Sequence, residues 1–88
     1  MITKTVSIVN RAGLHTRPAA AIVKLASEFQ SDFFINKDGF QINGKSIIGV
    51  MTLAAAQGSL LELSFDGPDE EQMADSVCDY FQKGFEEL

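Results

Sequence analysis

The sequence predicts an α+β fold: a four-stranded antiparallel sheet with three helices on one face, in the order β-α-β-β-α-β-α. Three observations carry this. Some segments alternate apolar and polar residues with a period of two. Others repeat apolar residues at helical spacing. An Asp-Gly pair joins two of the strands and leaves no room for a crossover between them. The chain has 88 residues, 45% of them hydrophobic, which suffices for one core, so one domain spanning residues 1–88 is expected.

The first strand is "ITKTVSIV", with Ile2, Val6 and Ile8 on one face. "NRAG" follows as a turn. From Pro18 the apolar positions Ile22, Leu25, Ala26 and Phe29 form the stripe of an amphipathic helix. "DFFINKDGFQIN" reads as a hairpin, with Phe33 and Ile35 alternating on one strand, Phe40 and Ile42 on the next, and Asp38-Gly39 as the turn. "GKSIIGVMTLAAA" reads as a second helix. Ser46 is its N-cap, Ile47, Met51 and Ala54 lie along one side, and Gln57-Gly58 ends it. Gly49 weakens that helix by about 1 kcal/mol relative to alanine, so it should be short. "SLLELSF" is a strand with Leu61, Leu63 and Phe65 inward. The last helix starts at Asp69, where Gln72 completes a capping-box pattern. Met73, Val77, Phe81 and either Tyr80 or Phe85 are its stripe, and Gly84 stops it.

Composition removes several classes of function. The net charge of −5 argues against a nucleic-acid partner. The charge is uneven: residues 1–61 carry six basic and three acidic side chains, residues 62–88 nine acidic ones and only Lys83. The first part thus offers a positive surface to an acidic partner or a phosphate, and the last reads as a solvated acidic helix face. The single cysteine, Cys78, permits no internal disulfide and no thiolate cluster, and its place in an amphipathic stretch suits a small apolar residue. The N-terminal stretch lacks the pattern of a signal peptide. No apolar run reaches the roughly 18 residues of a membrane span. A soluble, cytoplasmic monomer without membrane insertion is expected.

The chemistry concentrates in "NRAGLHTRPAA", residues 10–20, which holds the only histidine, His15. Proline is tolerated in the first turn of a helix, where its missing N–H has no acceptor to lose, so Pro18 fixes a helix start near Thr16. Either His15 or Thr16 is the N-cap. The free amides of the first turn and the positive end of the helix dipole make an anion site there. Thr16, Arg17 and Pro18 form its floor, and Arg17 adds a fixed charge with several donors. Imidazole titrates near neutrality and is a nucleophile when uncharged, which the positive surroundings favour. A ring nitrogen that accepts a phosphoryl group would find donors for the new oxygens in place. A histidine that merely caps a surface helix would leave the same local pattern. A metal site is not expected, since there is no second histidine and no carboxylate at matching spacing. A Ser-His-Asp triad has no nucleophile elbow behind it.

A second motif competes. "GFQINGKS", residues 39–46, matches the letters of a nucleotide-binding P-loop. That mechanism needs a strand, a loop of free amides and a long helix on a parallel sheet. Here "FQIN" alternates like a strand and Gly39 belongs to the hairpin turn, so nucleotide binding is not expected.

"GLHTRPAA" resembles the active-site motif of the HPr family of phosphocarrier proteins in the bacterial phosphotransferase system, Gly-Leu-His-x-Arg-Pro-Ala. The stretch from "NGKSIIGVMTLAAAQG" onward resembles the second half of that family, including a serine at the start of the second helix, here Ser46. The resemblance implies an open-faced β-sandwich with four antiparallel strands and three helices. It implies that His15 is phosphorylated on Nδ1 and that Arg17 helps to hold the group. Enzyme I would be the donor and IIA domains the acceptors, with the chain a stoichiometric carrier, not an enzyme, and without a cofactor. It also implies that Ser46 is open to a serine kinase and phosphatase in some members. Partners, a transcription regulator among them, would dock beside it through Lys24, Lys45, Ile47, Ile48 and Met51. Thr16 departs from the family, where alanine is common. The alternative is a regulatory docking protein that signals through the state of His15 or Ser46 without transporting sugar.

Overall fold

The computed structural model describes residues 1–87; Leu88, the last residue of the expected domain, lies outside the described residues. Strand β1 (Ile2–Ser7) leads through a loop to helix α1 (Thr16–Ala26). Strands β2 (Asp32–Lys37) and β3 (Phe40–Asn43) form the hairpin, and both residues of its turn have positive φ, 53° at Asp38 and 81° at Gly39. That is the backbone that matches the twist of paired strands, and Asp-Gly suits it. A six-residue helix α2 (Ile47–Thr52), strand β4 (Leu60–Asp66) and helix α3 (Glu70–Gln82) follow, with a short 3₁₀ turn at Gly84–Glu86.

The sheet order is β1-β4-β2-β3, antiparallel throughout. The crossover from β1 through α1 to β2 leaves a gap, and β4 fills it. The register runs from Ile2 opposite Phe65 to Ser7 opposite Leu60, and on the other edge of β4 from Asp32 opposite Asp66 to Asn36 opposite Glu62. The period of two then decides which side is buried. Val6, Phe33, Ile35, Leu61, Leu63 and Phe65 face the helices, while Thr3, Thr5 and Glu62 face outward. Phe33 and Phe65 stack directly across the strands with ring centroids 5.0 Å apart. Ala19, Ile22 and Ala26 of α1, Val50 of α2, and Met73, Val77 and Phe81 of α3 close the core. Each large side chain buried this way contributes roughly 1.5–3 kcal/mol.

Several elements differ from the sequence expectation. Helix α2 ends at Thr52, not near Gln57, because the chain turns at Ala54 with φ of 47°. The turn presents the Ala55 carbonyl to the Leu14 N–H at 2.8 Å, a bond that a continuing helix would forbid. The inward face of α2 is Val50, whereas Ile47, Met51 and Ala54, expected along one side, are exposed. Helix α1 stops at Ala26, so Phe29 lies beyond it, half-buried in the following loop. Phe40 begins its strand and is exposed. Asp69 is the N-cap of α3 but its side chain does not cap, and the box with Gln72 does not form. Its carboxylate bonds instead to Gln30 and Ser31. Cys78 is half-buried, and burial pushes its thiol up, away from the reactive thiolate.

Candidate functional site

The loop before α1 is fixed by backbone requirements. Gly13 has φ of 75°, and a Cβ there would sit 2.7 Å from the Ala55 carbonyl oxygen. Only glycine allows that approach without strain. Leu14, next to it, is buried and bonded to Ala55. Its insertion turns His15 outward, where the side chain remains 40% exposed.

His15, not Thr16, is the N-cap of α1, with extended φ and ψ of −89° and −171° and no capping bond from its ring. The first helical bond is from the Ala19 N–H to the His15 carbonyl, 3.0 Å. Helix geometry therefore leaves the amides of Thr16 and Arg17 without helical acceptors, and Pro18 occupies the third position, where no donor is lost. Thr16 and Arg17 are exposed and Pro18 is buried. Arg17 forms no ion pair among the described residues. Its charge is felt at Tyr80, whose hydroxyl is pushed up by burial, then by Glu86 and Glu87, with Arg17 opposing.

The expected positive surroundings are only part of the picture. The Glu87 carboxylate meets His15 Nε2 at 2.8 Å through Oε2 and 3.0 Å through Oε1. Asn10, buried in the loop, donates from Nδ2 to the Gly13 carbonyl at 2.9 Å and to Glu87 Oε1 at 2.8 Å. Both partners are acceptors, which fixes the orientation of the Asn10 amide. Hollows of about 330 and 310 Å³ are lined by residues of β1 and α3, and one of about 450 Å³ by Val9, Arg11, Gln57 and Glu87; His15 itself lines none of the three. The histidine thus stands on open surface, with a cation, helix amides and a carboxylate around it. No cluster of side chains suited to a metal occurs among the described residues.

A family model described as the PTS HPr component phosphorylation site matches residues 2–83. The chain belongs to the HPr family. It is 49% identical to the phosphocarrier protein HPr of Treponema pallidum, over 99% of each chain. It is 40% identical to the HPr-like protein Crh of Halalkalibacterium halodurans, over 94% of this chain and 99% of that one. Among solved structures, HPr-C-His from Thermoanaerobacter tengcongensis superposes with a TM-score of 0.96 at 41% identity, covering 100% of this chain and 99% of that one. The open sheet and three helices are thus the fold of the HPr phosphocarrier family.

The residues of the second HPr motif lie on α2, which packs against α1. Ser46 caps α2, its Oγ accepting the Gly49 N–H at 3.2 Å. Ile47, Ile48 and Met51 are 36%, 74% and 44% exposed, too much for core residues. Lys24 is exposed near the end of α1. Lys45 is engaged: its ammonium donates to the Phe29 carbonyl at 2.8 Å and ties the segment before α2 to the loop after α1. The P-loop letters dissolve into local structure. Gly39 is in the hairpin turn, 40–43 is β3, the Gly44 amide donates to the Phe33 carbonyl at 2.7 Å, and a Cβ at Gly44 would run into the Phe33 ring. Glu87 and Asn10 were not foreseen from the sequence, because Glu87 reads as part of an acidic tail and lies 72 residues from His15.

Proposed function

We propose that this chain carries a phosphoryl group on His15 Nδ1, taking it from phosphorylated enzyme I and passing it to IIA domains. The exposed His15 on open surface carries this reading. A small-molecule enzyme encloses its substrate, whereas a histidine that must meet two successive proteins has to stand free. On loading, the Nδ1 lone pair forms the bond to phosphorus while the donor's bond breaks and its electron pair leaves with the donor; on delivery, the acceptor's lone pair forms the new bond while the P–Nδ1 bond breaks and its pair returns to the His15 ring. The amides of Thr16 and Arg17 and the Arg17 guanidinium hold the phosphoryl oxygens at the helix start. The chain is regenerated at each delivery, so it is a carrier and not an enzyme, and no cofactor enters the cycle. Enzyme I and IIA domains dock on the exposed Ile47, Ile48 and Met51 beside α1, with Lys24 and Lys45 as the basic residues of the docking surface, and Ser46 within that patch is the regulatory phosphorylation site. Likeness to the HPr relatives supports a cytoplasmic setting; among the described residues, no helix is long and apolar enough to cross a membrane.

The test is incubation with enzyme I and labelled phosphoenolpyruvate. The parent should take one acid-labile, base-stable label, and His15→Ala none. Equal labelling of the two would overturn the assignment. Similarity to Crh of Bacillus subtilis, described as a catabolite repression HPr, favours a second reading, a regulator that acts by docking alone. A labelled parent that donates to no IIA domain would support that reading instead.

A further inference from the structure

The contact between Glu87 and His15 is held from two directions. Asn10, 1% exposed, grips one carboxylate oxygen from beneath the loop. Behind Glu87, Gly84, Phe85 and Glu86 have φ of 59°, 58° and 63°. Left-handed backbone is easy for glycine and costly for phenylalanine and glutamate. Such a turn persists only when its surroundings impose it. Phe85 does so: it is 4% exposed, edge-on to Phe81 at 5.1 Å and tilted against Tyr80 at 5.4 Å. A surface salt bridge of chance would need neither the buried amide nor the strained, anchored turn.

The chemistry of the contact decides which ring nitrogen carries hydrogen. An ionised carboxylate has only lone pairs to offer, so Nε2 must donate. In the neutral ring the free lone pair is then on Nδ1. We infer that Glu87 is a positioning residue for phosphoryl transfer at His15: it holds the Nε2–H tautomer, fixes the ring plane, and offsets the positive charge the ring gains when Nδ1 is phosphorylated. This rests on the reading of His15 as the phosphoryl acceptor. During transfer the Nδ1 lone pair forms the P–N bond, the pair of the broken bond leaves with the donor, and the Nε2 proton stays in its bond to Glu87. The role parallels the carboxylate that orients the imidazole of a hydrolase triad.

Two measurements on the parent, Glu87→Ala and Glu87→Gln test this. The first is the His15 tautomer in the free protein, from ¹⁵N shifts at a pH where the ring is neutral. The parent should be almost wholly Nε2–H, Glu87→Ala a mixture, and Glu87→Gln, whose amide oxygen still accepts, close to the parent. The second is the rate of transfer from phosphorylated enzyme I. Glu87→Ala should lose about tenfold, the lower end of the loss when the hydrogen-bond partner of a metal-bound imidazole is removed, and Glu87→Gln less. A changed tautomer with an unchanged rate overturns the role, as does parental behaviour of Glu87→Ala in both measurements. A faster Glu87→Ala also overturns it, and would mark the carboxylate as a plug on the ring. A parent that accepts no phosphoryl group overturns the carrier reading itself, and this role with it.

Discussion

Ser31 and Asp69 lock the start of β2 to the start of α3: the Ser31 hydroxyl donates to Asp69 Oδ1 at 2.6 Å and the Ser31 amide to the same oxygen at 2.9 Å. Gln30 N–H reaches Oδ2 at 2.9 Å, and the Asp69 N–H returns to Ser31 Oγ at 3.2 Å. The bond from Ser31, then that from Gln30, favour the ionised carboxylate and hold Asp69 below the ordinary value near 3.8. A depressed folded value means that this stability is present above the unfolded value and is lost as pH falls through the folded one. Melting of the parent should therefore weaken as pH drops below about 3.8. Asp69→Asn should melt lower at neutral pH and show a flatter acid limb. Ser31→Ala, which removes both the bond its hydroxyl donates to the carboxylate and the bond it accepts from the Asp69 N–H, should also melt lower than the parent. An acid limb of the same slope in Asp69→Asn would contradict the lock.

Gly13→Ala tests the loop that presents His15. The left-handed backbone alone costs about 1–2 kcal/mol with a Cβ present. The approach of 2.7 Å to the Ala55 oxygen adds to this, because backbone must give way. Urea titration should show a loss of at least that size. Phosphoryl transfer should slow as well, since the bond from Leu14 to Ala55 is what turns His15 outward. A variant as stable as the parent would show that the loop accommodates a side chain.

The strands were legible because one buried face imposes a period of two, and Leu61, Leu63 and Phe65 carry it without ambiguity. The start of α1 was legible because Pro18 admits few positions in a helix. What failed depends on partners far along the chain. Asp69 has the local pattern of a capping box, yet Ser31, 38 residues away, takes its carboxylate. The end of α2 is set by the need of Leu14 for the Ala55 carbonyl, which no periodicity in an alanine run records. Half of the candidate site was visible for the same reason. His15, Thr16, Arg17 and Pro18 are contiguous, whereas Glu87 is delivered by a strained turn at the opposite end of the chain.

Arg17→Ala separates folding from transfer. Arg17 is exposed, has no ion-pair partner among the described residues, and lies off the buried face of Ala19, Ile22 and Ala26. Its melting temperature should match the parent's within about 0.5 kcal/mol of stability, as for other surface changes. Transfer from phosphorylated enzyme I should fall about 10²–10³-fold, the usual loss when a preorganised donor is removed from developing charge. Stopped-flow transfer at parental speed would remove Arg17 from the site, and a collapsed melt would assign it a packing role.

Ser46→Asp sets two effects of opposite sign in one variant. Aspartate is as good an N-cap as serine and can still accept the Gly49 N–H, and an anion is favoured at a helix start. Helix α2 is only six residues long, so the gain is small, and the fold should change by no more than about 0.5 kcal/mol. Docking should suffer. The new charge lies among Ile47, Ile48 and Met51, exposed apolar residues that lose water when a partner covers them. Lys45 cannot neutralise it without releasing the Phe29 carbonyl, which its ammonium holds at 2.8 Å. Calorimetric titration with enzyme I should show affinity weakened by about tenfold, which corresponds to roughly 1.4 kcal/mol of unpaired charge desolvation. Equal affinity with an unchanged melt would reduce Ser46 to a helix cap. A lower melting temperature would mean that the aspartate does not reach the Gly49 amide, and the binding loss could then no longer be assigned to docking.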